Sequence, residues 1–127
     1  MKVYVSSHDI DKAREAAVAL EKAGHAVMST WHLGDSPMKR SADMTADEMR
    51  DKAKSNLHQI AASDVLLLVA SDDKVPGGKF VEAGAALGQV KRVAIWGRRE
   101  NILLNHPHAV AFTDLAGAVA SVGDCRL

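Results

Sequence analysis

Val65-Leu-Leu-Leu-Val-Ala70, followed by Val75-Pro-Gly-Gly-Lys-Phe-Val-Glu82-Ala-Gly84-Ala-Ala-Leu-Gly88, is the stretch that decides the architecture. The first run is apolar on both faces, as a central parallel strand buried between two layers must be. The second opens as a paired-glycine loop and continues as a helix of small residues. Open α/β sheets keep their ligands at the carboxyl ends of their strands, beside loops of this kind. Glu82 falls there, in what the spacing predicts as the first turn of the helix.

The rest of the chain repeats the alternation. Val3-Tyr4-Val5 reads as a strand, and Ser6-Ser7-His8-Asp9 supplies turn and N-cap chemistry after it. Ile10, Ala13, Ala17, Leu20 and Ala23 form a helical stripe, with Gly24 at the C′ position. His25–Thr30 reads as a second strand, and Trp31–Met44 as a long loop of the kind that serves as a lid or binding loop. Thr45-Ala-Asp-Glu48 is a capping box ahead of a helix with Met49, Ala53, Leu57 and Ile60 on one face. After the Glu82 helix, closed by Lys91 and Arg92, come strand Val93–Trp96, a polar segment, and a short edge strand Val110–Phe112. Helix Asp114–Val122, capped by Thr113, ends the series. Five strands interleaved with four helices predict one α/β domain over residues 1–127, with a parallel sheet covered by helices on both faces.

Composition narrows the partners. Sixteen basic residues balance sixteen acidic ones, so no general positive field favours a polynucleotide or an anionic membrane. No apolar run approaches the ~20 residues of a membrane span, and the amino-terminal segment lacks a signal peptide's apolar stretch. A single cysteine, Cys125, fits a reducing compartment, and the cytoplasm is the expected location.

The spacing around the glycines excludes familiar phosphate cradles. Gly78-Lys79 is followed by Phe80, where a P-loop needs Ser or Thr, and the turn after the first strand has no glycine for a dinucleotide fingerprint. The six histidines show no zinc spacing and no Gly-x-Ser-x-Gly elbow exists, so neither metal nor cofactor is expected. A backbone that a ligand can approach closely remains, beside a helix N-terminus. Glu82 there is either an acid complementing the helix dipole or an ionised carboxylate able to attack an electrophilic sugar carbon. Asp64 reads as a turn residue ahead of its strand. Tyr4 is either core or a hydroxyl that orients an acid, and Trp31 either packs or stacks on a base.

Lys2-Val-Tyr4-Val, Ala62-Ser-Asp64-Val-Leu-Leu-Leu, Gly77-Gly78-Lys-Phe-Val-Glu82-Ala-Gly84 and Trp96-Gly-Arg-Arg-Glu100-Asn101-Ile together resemble the nucleoside 2-deoxyribosyltransferase family. Its relatives, the deoxynucleoside 5′-monophosphate N-glycosidases, share the pattern. The resemblance implies a flavodoxin-like, doubly wound sheet of five parallel strands in three layers. It implies cleavage of the N-glycosidic bond of a nucleoside or nucleotide through a glycosyl-Glu82 intermediate, resolved by a base or by water. Asp64 would handle the proton on the leaving base, and Tyr4 would orient Glu82. The resemblance adds Asn101 as a substrate contact to those expected from the residues themselves: the Ser6 and Ser7 hydroxyls, the Gly77-Gly78 backbone and Trp31. Asn101 would make its contact across a subunit interface, so a homodimer or larger assembly is implied. The serine-rich first loop departs from the glycine-bearing loop usual in the family.

Two other readings compete. One is a non-catalytic nucleotide-binding or sensor module of the same fold. The other is a phosphoribohydrolase-type enzyme, whose Pro-Gly-Gly-x-Gly-Thr-x-x-Glu motif is echoed by Pro76-Gly77-Gly78, although Glu82 arrives two residues early.

Overall fold

The computed structural model describes residues 1–33, 41–71 and 77–124. Val75 and Pro76, residues 34–40 of the Trp31–Met44 loop, and Cys125 lie outside the described residues. Strands β1 (Lys2–Ser6), β2 (Ala26–Val27), β3 (Val65–Val69), β4 (Arg92–Trp96) and β5 (Ala109–Phe112) form one parallel sheet in the order β2-β1-β3-β4-β5. This is the flavodoxin-like order, and its topological switch lies between β1 and β3. Helices α1 (Ile10–Lys22) and α4 (Leu115–Val122) cover one face, and α2 (Ala46–Ala61) and α3 (Gly78–Gly88) cover the other.

The strand period of two sorts the core. Val3, Val5, Val65, Leu67, Val69 and Ala94 pack with α1 and α4, while Tyr4, Leu66, Leu68, Val93 and Ile95 pack on the α2 and α3 side. All five residues of β3 are buried, as its doubly apolar sequence predicts. Alanines line the buried faces of α1 (Ala13, Ala16, Ala17) and α3 (Ala83, Ala86), so both helices can lie close to the sheet.

Several expected boundaries move, each for a local reason. β2 is two residues long rather than six, because after the backbone bond from Met28 N to Val3 O at 2.8 Å side chains replace its ladder. Val5 N–H donates to Ser29 Oγ at 3.0 Å, and Trp31 Nε1 donates to Val5 O at 2.6 Å. The capping box at Thr45 forms as expected. The stripe below it is buried only at Ile60, however, leaving Met49 at 43% and Leu57 at 46% exposure. Lys91 does not close its own helix. Its ammonium donates to Ile60 O and Ala61 O, both at 2.7 Å, capping the end of α2, while Arg92 opens β4. The cap of α4 is Asp114, not Thr113: its Oδ1 accepts from Gly117 N at 2.7 Å.

Two backbone positions constrain the loops. Gly97 leaves β4 at φ +120°, and a Cβ there would come within 2.6 Å of Ala70 Cβ. Only glycine lets the turns after β3 and β4 approach so closely at the carboxyl edge. Val90, by contrast, holds a left-handed φ of 59° after α3, where a glycine would sit unstrained. No helix among the described residues is long and apolar enough to cross a membrane.

Candidate active site

Three side chains from two elements converge at the carboxyl end of β1. Tyr4 and Ser6 are two apart on the strand and so share its α3-facing side. Glu82 reaches them from α3. The Tyr4 hydroxyl donates to Glu82 Oε2 at 2.5 Å, and the Ser6 hydroxyl donates to Oε1 at 2.8 Å. Tyr4 and Ser6 are both fully buried, and Glu82 is half-buried.

Local sequence builds this meeting. Gly77 is the N-cap of α3 in a left-handed conformation (φ 65°) with no side-chain cap, which turns the chain sharply into the helix. Glu82 is the fifth residue of α3, so it lies past the first turn in which it was expected. The macrodipole fades beyond that turn, leaving Glu82 to depend on direct donors.

Its protonation follows. Burial raises the Glu82 carboxyl above the ordinary glutamate range, and the hydrogen bonds from Tyr4 and Ser6 pull it partly back. Burial also raises the Tyr4 phenol, reinforced by the Glu82 charge, so Tyr4 stays a neutral donor. A buried carboxylate held by two specific donors at a topological switch is the arrangement by which proteins prepare a reactive acid.

The other expected site residues divide. Asp64 stands at the amino end of β3, while Glu82 meets Ser6 at the carboxyl end of β1. The five residues of β3 span about 16 Å at ~3.3 Å each. Asp64 is exposed there and accepts from Lys2 N at 2.9 Å, which ties the start of β1 to the start of β3. The fold therefore does not bring Asp64 to Glu82. Ser7 donates to Val69 O at 3.3 Å and accepts from Asp9 N at 3.0 Å, so its hydroxyl braces the turn into α1. Asn101 caps the 3-10 turn Ile102–Asn105, its side-chain oxygen accepting from Leu103 N at 2.9 Å. Trp31 packs against both core clusters while its indole holds Val5 O. Gly77 and Gly78 shape the helix entry.

Sequence reading missed a buried ion pair beside this site. Lys79, only 4% exposed, donates to Glu100 Oε1 at 2.7 Å and to Ser71 Oγ at 3.3 Å, and Ser71 N donates to the same Glu100 oxygen at 3.2 Å. The cluster joins the turn after β3, the start of α3 and the loop after β4. A lysine in a helix whose one other charged residue is Glu82 was its only signal. The Ser6–Glu82 contact did have a readable signal, since strand alternation already places Ser6 beside Tyr4. Among the described residues, no three His, Cys, Asp or Glu side chains converge as a metal site would require.

Behind β1 lies a second polar cluster. His32, 1% exposed, shares a 2.8 Å hydrogen bond between its Nε2 and Ser29 Oγ, and Arg14 Nε donates to His32 O at 2.8 Å. Burial, and secondarily the Arg14 charge, lower its pKa, which keeps the ring neutral.

No family model matches the chain, and no curated protein matches it in sequence. Solved structures do match. The chain is similar to a 2-deoxyribosyltransferase from the psychrotolerant bacterium Bacillus psychrosaccharolyticus, with a TM-score of 0.70 and 20% identity, over 94% of this chain and 90% of that one. It is also similar to the Clostridium botulinum CMP N-glycosidase BcmB, with a TM-score of 0.60 and 14% identity, over 97% and 99% of the two chains. At these identities the shared property is the fold, which agrees with the flavodoxin-like sheet expected from the resemblance.

Proposed function

We propose that this chain cleaves the N-glycosidic bond of a nucleoside or nucleotide, with Glu82 as the nucleophile. The observation that carries the reading is the Glu82 carboxylate, fixed by Tyr4 and Ser6 at the switch point of the sheet. Similarity in fold to a 2-deoxyribosyltransferase and to a CMP N-glycosidase supports the substrate class.

In this reading, a Glu82 oxygen donates a lone pair to the anomeric carbon as the carbon–nitrogen bond breaks and its electrons leave with the base. The base takes up a proton, because it would otherwise depart as an anion. Water or a second base then attacks the same carbon, and the bonding pair returns to Glu82. Two displacements at one carbon retain configuration, as in retaining glycosidases. Tyr4 stabilises the carboxylate before attack and again when it leaves. Asp64, at the far end of β3, has no geometric support for the proton-handling role that the resemblance implies. Its carboxylate ties the start of β1 to the start of β3 instead.

The assembly belongs to the same proposal. Met49, Ala53 and Leu57 lie at four-residue spacing on the exposed side of α2, and Val81, Gly84 and Gly88 lie exposed along neighbouring α3. An apolar stripe over two adjoining helices suits a second copy of this chain.

The direct test incubates the protein with nucleosides and their 5′-monophosphates, with and without an acceptor base, and chromatographs the products. Free base marks hydrolysis and exchanged base marks transfer. Absence of turnover by wild type, or equal turnover by Glu82→Ala, removes the proposal. Sedimentation of wild type against Leu57→Glu tests the assembly, with a shift to monomer expected.

A further inference from the structure

Both oxygens of Glu82 are held by donors from β1, and the second donor is the less expected. Ser6 is the last residue of β1 and is fully buried, so its hydroxyl must find a partner within the protein. The neighbouring Ser7 satisfies itself on the backbone at Val69 O and Asp9 N. Ser6 instead donates to Oε1 of Glu82 at 2.8 Å, opposite the Tyr4 bond to Oε2. A carboxylate gripped on both oxygens has its plane as well as its position fixed.

We propose that Ser6 is a positioning residue: its hydroxyl holds the buried Glu82 carboxylate ionised and in its attacking orientation. This rests on the reading of Glu82 as nucleophile. It also replaces the substrate contact expected of Ser6 from sequence. The surroundings leave few other groups to do the same work. Tyr4 is the titratable side chain that meets Glu82 from β1, and β3 is apolar throughout. β4 carries Arg92 at its far, amino end, where the guanidinium donates to Asp124 O. The charged side chains of α2 lie mostly on its exposed side, and Lys79 on α3 is neutralised by Glu100.

The role has a kinetic consequence. A donor on Oε1 stabilises the carboxylate, which exists before attack and after the second displacement, more than the neutral ester formed between them. Loss of the Ser6 hydroxyl therefore lowers the ionised fraction of Glu82. It also makes Glu82 a poorer leaving group, so the glycosyl-enzyme accumulates at pH values where the free carboxyl is ionised.

The experiment compares wild type with Ser6→Ala, Ser6→Thr and Ser6→Cys. Carbon-13 NMR follows the titration of the Glu82 carboxyl, assigned with Glu82→Gln, and base release is measured across pH. Ser6→Ala is expected to raise the Glu82 midpoint by about one pH unit, the value of one charge-assisted hydrogen bond. The acid limb of the kcat/KM profile should follow it, and mass spectrometry should show more glycosyl-enzyme. Ser6→Thr, which keeps the hydroxyl, should restore the midpoint. Should Ser6→Ala fail to fold, Ser6→Cys supplies the comparison, since a thiol fills the site but donates weakly. An unchanged midpoint in whichever of these is folded overturns the role of Ser6. A wild type that releases no base from any substrate defeats the nucleophile reading instead, and the carboxyl titration still decides whether Ser6 holds the charge.

Discussion

Replacing Glu82 with glutamine should abolish base release and, at neutral pH, make the protein more stable. Two opposed effects set the sign. Glutamine keeps an oxygen that can accept from Tyr4 or Ser6, so the loss is the difference between charged and neutral hydrogen bonds, about 1 kcal/mol for each of the two bonds. Against that stands the removal of a buried charge, whose desolvation costs several kcal/mol. Burial outweighs the donors at Glu82, since the net direction of its pKa is upward. A net gain of about 1–3 kcal/mol at neutral pH is therefore expected from Glu82→Gln. Because the folded pKa lies above the unfolded one, the wild-type penalty is absent below the unfolded glutamate value of about 4.3 and complete once pH exceeds the folded value. The stability gap between variant and wild type should therefore be small near pH 4 and widen as pH rises. Urea denaturation of both proteins at several pH values between 4 and 8 measures it. A variant less stable than wild type at pH 7, or a gap that does not change with pH, would refute the balance argued for the site.

Four further outcomes follow from the geometry. Lys79→Met leaves Glu100 without its cation in a mostly buried place, and urea titration should show a loss of about 3 kcal/mol. Gly97→Ala forces a Cβ to within 2.6 Å of Ala70 Cβ at φ +120°. A loss of about 3 kcal/mol, read from thermal melting, is expected. Val90→Gly relieves a left-handed β-branched residue worth about 1–2 kcal/mol, partly offset by about 0.5–1 kcal/mol of glycine entropy, so the melting temperature should rise. Asp64→Asn should leave base release within about twofold of wild type, because one strand length separates it from Glu82; a loss of about 100-fold would return Asp64 to the chemistry.

The fold was legible because its signals are periodic and local. The doubly apolar Val65–Ala70 run, the Thr45 capping box and the Gly24 stop each depend on a few neighbouring residues, and each appears, the strand ending one residue early at Val69. What failed to read out depends on distant partners. Nothing within His25–Thr30 says that Ser29 and Trp31 will take over the ladder of β1 with their side chains. Lys91 resembles an ordinary helix-ending charge until the fold brings the end of α2 beneath it. The site shows the same division. Glu82 and Tyr4 were singled out from sequence, and the fold brings them together; Asp64 was singled out beside them, and the fold holds it apart. Strand direction explains that difference. A residue preceding a parallel strand lies at the amino edge, however close it stands in sequence to the loop that follows the strand.

The reach of Glu82 depends on residues that have no chemistry of their own. A glutamate side chain is short, and a 2.5 Å contact with a tyrosine on the sheet requires the helix backbone to lie close to that sheet. Ala83 and Ala86, both buried under α3, permit this approach, and bulkier side chains there would lift the helix and open the contact. The left-handed Gly77 sets the angle at which α3 begins, and the Lys79–Glu100 pair anchors that beginning to the loop after β4. The small-residue composition of the helix and its acid are thus one device: alanines bring the backbone down, and two β1 hydroxyls counter part of the upward push that burial gives its carboxyl pKa. The alanines are therefore part of how the fold holds this acid, since without close packing Tyr4 and Ser6 could not reach it to offset part of the cost of burying it.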